Sequence, residues 1–168
     1  MPTAEQLVTQ LNNLGVHFVA GGDSAPVAPL PPADLMVELV SQPEARLRLA
    51  LIPLLLAHPD YGAAAPDCAD RLEPPSPTTF KLFYTAAVLL QQMYAEQLHA
   101  LFGLQPALPD LFSAGLNVSA GQDPLRRLYH LSLRHRVLTD LAANWQGTYI
   151  YAAERFLARC EKEASWQT

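Results

Sequence analysis

The stretch from Pro77 to Phe102 constrains this chain more than any other. Phe80, Phe83, Tyr84, Ala87, Tyr94, Leu98 and Leu101 cover one face of a helix drawn through it, and Leu82, Ala86, Leu89 and Met93 cover the opposite face. Only a narrow strip formed by Lys81, Thr85, Gln92, Glu96 and His99 is polar. A helix apolar almost all round has to be enclosed by other helices. Ser76 is placed to cap its start and Gly103 to close its end. The pattern predicts an all-α fold, a compact bundle of five to six helices around a central buried helix at about 77–102.

The remaining segments read as its wrapping. Pro43, Pro66, Pro77, Pro109 and Pro124 each precede a helix-forming or apolar stretch, where a missing N–H does no harm. A first helix is predicted from Ala4 to Leu14, with Thr3 and Gln6 at capping-box spacing and Gly15 as its stop. Val16 to Ala20 alternates like a short strand but finds no partner strand, which suggests an extended segment or a strand offered to another chain. Gly21 to Ala33 is a Gly/Pro/Ala connector. These features divide the chain into a flexible N-terminal arm at 1–33 and a helical bundle at 34–168, within one globular domain. Ser41 and Glu44 suggest a second capping box before Arg46 to His58, with Pro53 kinking or splitting that helix. Asp123 and Pro124 open a helix carrying Leu125, Leu128, Leu131, Leu133 and Leu138. A last helix, Trp145 to Glu163, has the stripe Trp145, Tyr149, Ala152, Phe156 and Cys160.

Composition narrows the function classes. A hydrophobic share of 50% excludes wholesale disorder, and a net charge of −5 argues against general affinity for nucleic acid or anionic lipid. The longest apolar run, Ala50 to Ala57, contains Pro53 and is far short of a membrane span. Two cysteines, Cys68 and Cys160, supply neither a disulfide framework nor a zinc ribbon. With a polar N-terminal start, these features lead to the expectation of a cytoplasmic protein.

Several fragments suggest chemistry and stop short of it. His58-Pro59-Asp60 matches the tripeptide of J-domain co-chaperones, but the preceding helix has only Arg46 and Arg48 in place of a lysine-rich face. Gly21-Gly22-Asp23-Ser24 is similar to the entry of a minimal nucleotidyltransferase, and Asp34 has the spacing of its first metal carboxylate. Met36 then stands where the second acid belongs, and two-metal chemistry needs both. The one basic concentration is Arg126, Arg127, His130, Arg134, His135 and Arg136. Its arginine–histidine spacings do not fit the helical HEPN ribonucleases, so these six residues are expected either to meet a partner or to form a solvated helix face. The histidines show no metal-ligand spacing. The aromatic set Tyr84, Tyr94, Trp145, Tyr149 and Tyr151 suits a core or the lining of a pocket.

Arg46-Leu47-Arg48-Leu49-Ala50-Leu51-Ile52-Pro53 through His58-Pro59-Asp60-Tyr61, together with Leu82-Phe83-Tyr84-Thr85-Ala86-Ala87-Val88-Leu89-Leu90-Gln91, Leu108-Pro109-Asp110-Leu111-Phe112 and Asn144-Trp145 with Tyr149, resembles small helical bacterial proteins. Several of these are encoded beside minimal nucleotidyltransferases. The resemblance spans about 46–157, departs at Gln146-Gly147-Thr148, and carries no catalytic role onto any residue. It implies an accessory role in a toxin–antitoxin-like pair. The expectation is thus a non-enzymatic interaction protein, without cofactor or metal, that binds a protein partner or itself. The alternative is a helical protein that binds a small molecule or nucleotide in an aromatic pocket.

Overall fold

The computed structural model describes residues 1–22, 26–121 and 123–167. The described residues form α1 (Ala4–Asn13), α2 (Pro32–Val40), α3 (Ala45–Leu49), α4 (Leu51–Ala57), a 3-10 turn (Pro59–Ala64), α5 (Ala65–Arg71), α6 (Ser76–Met93), α7 (Ala95–Phe102), α8 (Pro124–Thr139) and α9 (Trp145–Trp166). The fold is all-α, with no strand among the described residues. No helix among the described residues is long and apolar enough to cross a membrane.

Helix α6 packs against α2, α4, α5, α8 and α9. From Phe80 to Leu90 every residue except Lys81 is buried, as its two apolar faces require. Thr85 survives there because its hydroxyl donates to the Lys81 carbonyl at 2.7 Å. The 77–102 segment is not one helix, however. It breaks at Tyr94 (φ −108°, ψ 26°), and of α7 only Leu98 is buried. At the break the Tyr94 hydroxyl donates to Glu154 of α9 at 3.0 Å.

A similar break divides the segment expected as a helix from Arg46 to His58. It falls at Ala50 rather than at Pro53, so that Pro53 lies in the first turn of α4, where a missing N–H is harmless. Ser41 is not the start of this unit. It is the C-cap of α2, and Glu44 precedes α3 without a side-chain cap. The Thr3/Gln6 capping box on α1 is present in both directions, and Asp123 caps α8 by accepting from the Arg126 N–H at 3.0 Å.

The segment after α1 takes no strand form. Val16, Phe18 and Val19 turn into the hydrophobic core instead, with the Arg155 guanidinium of α9 over the Phe18 ring. Gln10 holds the following connector by donating to the Ala28 carbonyl at 2.6 Å and accepting from the Leu30 N–H at 3.1 Å.

Candidate functional site

The basic run on α8 divides according to the helix turn. Arg127, His130 and Arg134 follow i, i+3, i+7 spacing and so share a face. That face holds the 110–119 stretch that precedes α8. Arg127 donates to the Ser119 carbonyl at 3.1 Å, to the Ser113 hydroxyl at 3.0 Å and to Asp110 at 2.7 Å. His130 contacts the Ser119 hydroxyl at 3.4 Å, and Arg134 donates to the Leu116 carbonyl at 2.9 Å. The Arg127 side chain is only 11% exposed. Burial pushes the Asp110 carboxyl up, but bonds from Ser113 and Arg127 outweigh it and hold the group below the ordinary carboxylate range. Arg126 and Arg136 face solvent, and Arg126 lies 3.5 Å from Asp123.

His135 points the other way. It is 1% exposed and stacks on Trp145, with centroids 3.6 Å apart and planes 5° off parallel. The Phe83 ring meets it edge-on. Burial lowers its pKa to about 3, so the ring is neutral at physiological pH. Its Nδ1 is hydrogen-bonded to the hydroxyl of the fully buried Tyr149. Burial pushes that phenol upward, and it stays protonated. The hydroxyl has a proton to place and Nδ1 is the acceptor it meets, so Tyr149 donates and the imidazole proton resides on Nε2.

This ring lines a cleft of about 690 Å³, the size of a small-molecule site. Five separate stretches enclose it: the α2–α3 turn with α3, the start of α6, Phe83, the end of α8, and the start of α9. Its apolar walls include Val40, Leu49, Phe83, Leu138 and Trp145, and its charged lining groups are Arg46 and Arg48. Arg46 pairs with Glu44 at 3.0 Å. Arg48 is held instead by the Gln42 and Pro43 carbonyls, at 2.7 and 2.6 Å, both through Nη1. Helix α6 begins here with no side-chain cap and no acidic residue in its first turn. Asn144 caps α9 by accepting from the Gly147 N–H at 3.0 Å, which fixes the turn bearing Trp145 and Thr148. Sequence reasoning named Arg46, Arg48, Trp145 and His135 separately and missed that they converge. The one usable signal was the pair of arginines alternating with buried leucines in an otherwise apolar segment.

The other candidates lie apart. Asp34 sits on α2 in an ion pair with Arg71 at 2.7 Å, and Met36 is fully buried. Asp23 and Ser24 lie outside the described residues. Gly21 and Gly22 (φ 108° and 123°) fold back on α1, and the Gly22 N–H donates to the Glu5 carboxylate at 2.9 Å, so a carboxylate already sits where a phosphate would be received. His58 is tied through Nε2 to the Leu14 carbonyl at 2.7 Å. Among the described residues no group of three His, Cys, Asp or Glu side chains is arranged to hold a metal ion. Cys68 is buried, and burial pushes its thiol up to about 12, away from nucleophilic use. Of the remaining tyrosines, Tyr84 donates to the Pro109 carbonyl in the core and Tyr151 accepts from Arg155 on the surface. No family model, curated protein or solved structure matches the chain.

Proposed function

We propose that this chain is a non-enzymatic binding protein that accepts a small organic molecule in the cleft between α3, α6, α8 and α9. The observation that carries the reading is His135. A buried, neutral imidazole, oriented by Tyr149 and braced by Trp145, lines a 690 Å³ cleft. A few placed polar groups on apolar walls characterise ligand pockets. Catalysis asks for more: an acid–base pair or a nucleophile beside a base, which the cleft lining does not supply. Free Cys68 and Cys160 suit a reducing, cytoplasmic setting.

A thermal-shift screen over aromatic acids, nucleotides and neutral aromatics tests the reading. A ligand at a hundredfold excess over its Kd should raise Tm by about 5–10 °C. Ala45→Trp, which fills the cleft from an exposed position on α3, should abolish the shift. A shift that persists in Ala45→Trp, or none across the screen, defeats it.

One observation favours a second reading. Leu125, Tyr129, Leu133 and Val137 recur every four residues along the outer face of α8, all exposed and Val137 at 68%, beside Arg126, His130 and Arg136. Such a stripe suits an amphipathic helix of a protein partner, in line with an accessory role toward a nucleotidyltransferase or with self-association. Leu133→Glu should then dissociate the complex in size-exclusion chromatography while leaving Tm unchanged. A wild-type chain that runs as a monomer and co-purifies with nothing removes this reading.

A further inference from the structure

The cleft is polarised, and its polarity assigns the charge of its occupant. Its charged lining groups are cationic; Arg46 is paired with the Glu44 carboxylate, and Arg48 has no carboxylate partner among the described residues. Arg48 spends Nη1 on two backbone carbonyls, which leaves Nε and Nη2 as donors. The 18-residue α6 opens on the same space without a side-chain cap. Pro77 has no N–H and those of Ser76 and Thr78 are taken by the Glu73 and Pro75 carbonyls, so what α6 brings to the cleft is the positive end of its dipole and the hydroxyl-bearing lining residues Ser76, Thr78 and Thr79. His135 adds a third, independent donor, a nearly fully buried ring whose Nδ1 is taken by Tyr149 and whose other edge carries the proton. Three kinds of donor converge from α3, α6 and α8, and the walls between them are apolar. A cation would meet a guanidinium and a helix N-terminus. A wholly apolar molecule would strip these donors of water and return nothing.

We infer that the occupant is a small organic oxyanion, its charged head between Arg48 and the start of α6 and its apolar body along Phe83, Leu138 and Trp145. This rests on the ligand-binding reading above and deepens it. Two fluorescent probes that share a body and differ in charge separate the two claims: anilinonaphthalene sulfonate, which carries an oxyanion, and neutral phenylnaphthylamine, which does not. The full chain should bind the sulfonate with one site and bind the neutral probe more weakly. Arg48→Gln should weaken the sulfonate about tenfold, the effect of one lost charge-assisted hydrogen bond. It should leave the neutral probe within about twofold, which controls for the integrity of the cleft. Arg48→Lys should restore most of the sulfonate affinity. Ala45→Trp should abolish both. Equal binding of the two probes, or a sulfonate affinity indifferent to Arg48→Gln, overturns the oxyanion inference while the cleft reading stands. Binding of neither probe, or binding that survives Ala45→Trp, overturns the cleft reading itself.

Discussion

His135 gives the molecule a pH signature that one substitution can isolate. Its ordinary pKa is 6.5 and burial lowers it to about 3 in the folded chain. Between those values the unfolded chain binds a proton that the folded site refuses, so stability falls as pH falls through that window. The loss is about 1.4 kcal/mol per pH unit below 6.5, or roughly 2 kcal/mol at about pH 5. The ring faces Phe83, Trp145 and the protonated Tyr149 across its own packing, and Arg46 and Arg48 across the cleft, with no carboxylate among them. Asp110, whose pKa is lowered, also stabilises the fold at neutral pH, but its contribution is lost only as pH drops through and below the ordinary carboxylate range. His135→Gln keeps an acceptor for the Tyr149 hydroxyl and removes the titration. Urea unfolding should therefore show the difference between about pH 7 and about pH 5 shrinking by roughly 2 kcal/mol in the variant. Parallel pH curves for wild type and His135→Gln would show that the imidazole is not held neutral.

At the scale of elements, the features legible in the sequence were those whose physics is local. The Thr3/Gln6 box and the Asp123 cap each need only residues within one turn, and both formed as read. Ser41 and Glu44 have the same spacing, yet α2 runs on to Val40 and takes Ser41 as its end. At the Tyr94 break the side chain finds its partner in Glu154, sixty residues away, and no window along α6 contains it. The start of α9 tests how tightly a local cap is built. A Cβ at Gly147 would come within 2.7 Å of the Asn144 amide nitrogen, so the glycine is kept for the space the cap needs. Ala for Gly inside a helix ordinarily gains about 1 kcal/mol, and losing an Asn cap costs about the same. Gly147→Ala alone should consequently bring no gain, and Asn144→Ala alone should lose about 1 kcal/mol. In the Asn144→Ala background, Gly147→Ala should then stabilise by about 1 kcal/mol. A double-mutant cycle by thermal unfolding measures that coupling. Strict additivity would mean that the cap and the glycine are independent.

Across the whole molecule, the cleft was illegible because its walls come from five stretches between residues 40 and 148, brought together only by packing around α6. The N-terminal region shows the same dependence on packing. Its alternation from Val16 to Ala20 matches a strand, but burial rather than pairing consumes it. Leu7, Val8, Leu11 and Val16 are fully buried, Phe18 and Val19 nearly so, and all six belong to the same core as α6. Each such side chain contributes about 1.5–3 kcal/mol on leaving water, so together they supply on the order of 10 kcal/mol. That is comparable with the entire stability of an ordinary domain, about 5–15 kcal/mol. His58, whose Nε2–H donates to the Leu14 carbonyl, further ties α1 to the end of α4. Deleting residues 1–22 should therefore abolish the cooperative thermal transition seen by circular dichroism rather than trim an appendage. A synthetic peptide of residues 1–22, supplied in excess, should restore part of it, because α1 packs on α2, Phe18 meets Arg155 of α9 and Leu14 meets His58. A truncated chain that melts cooperatively within a few degrees of the full-length protein would show instead that the bundle from α2 onward closes its core without α1.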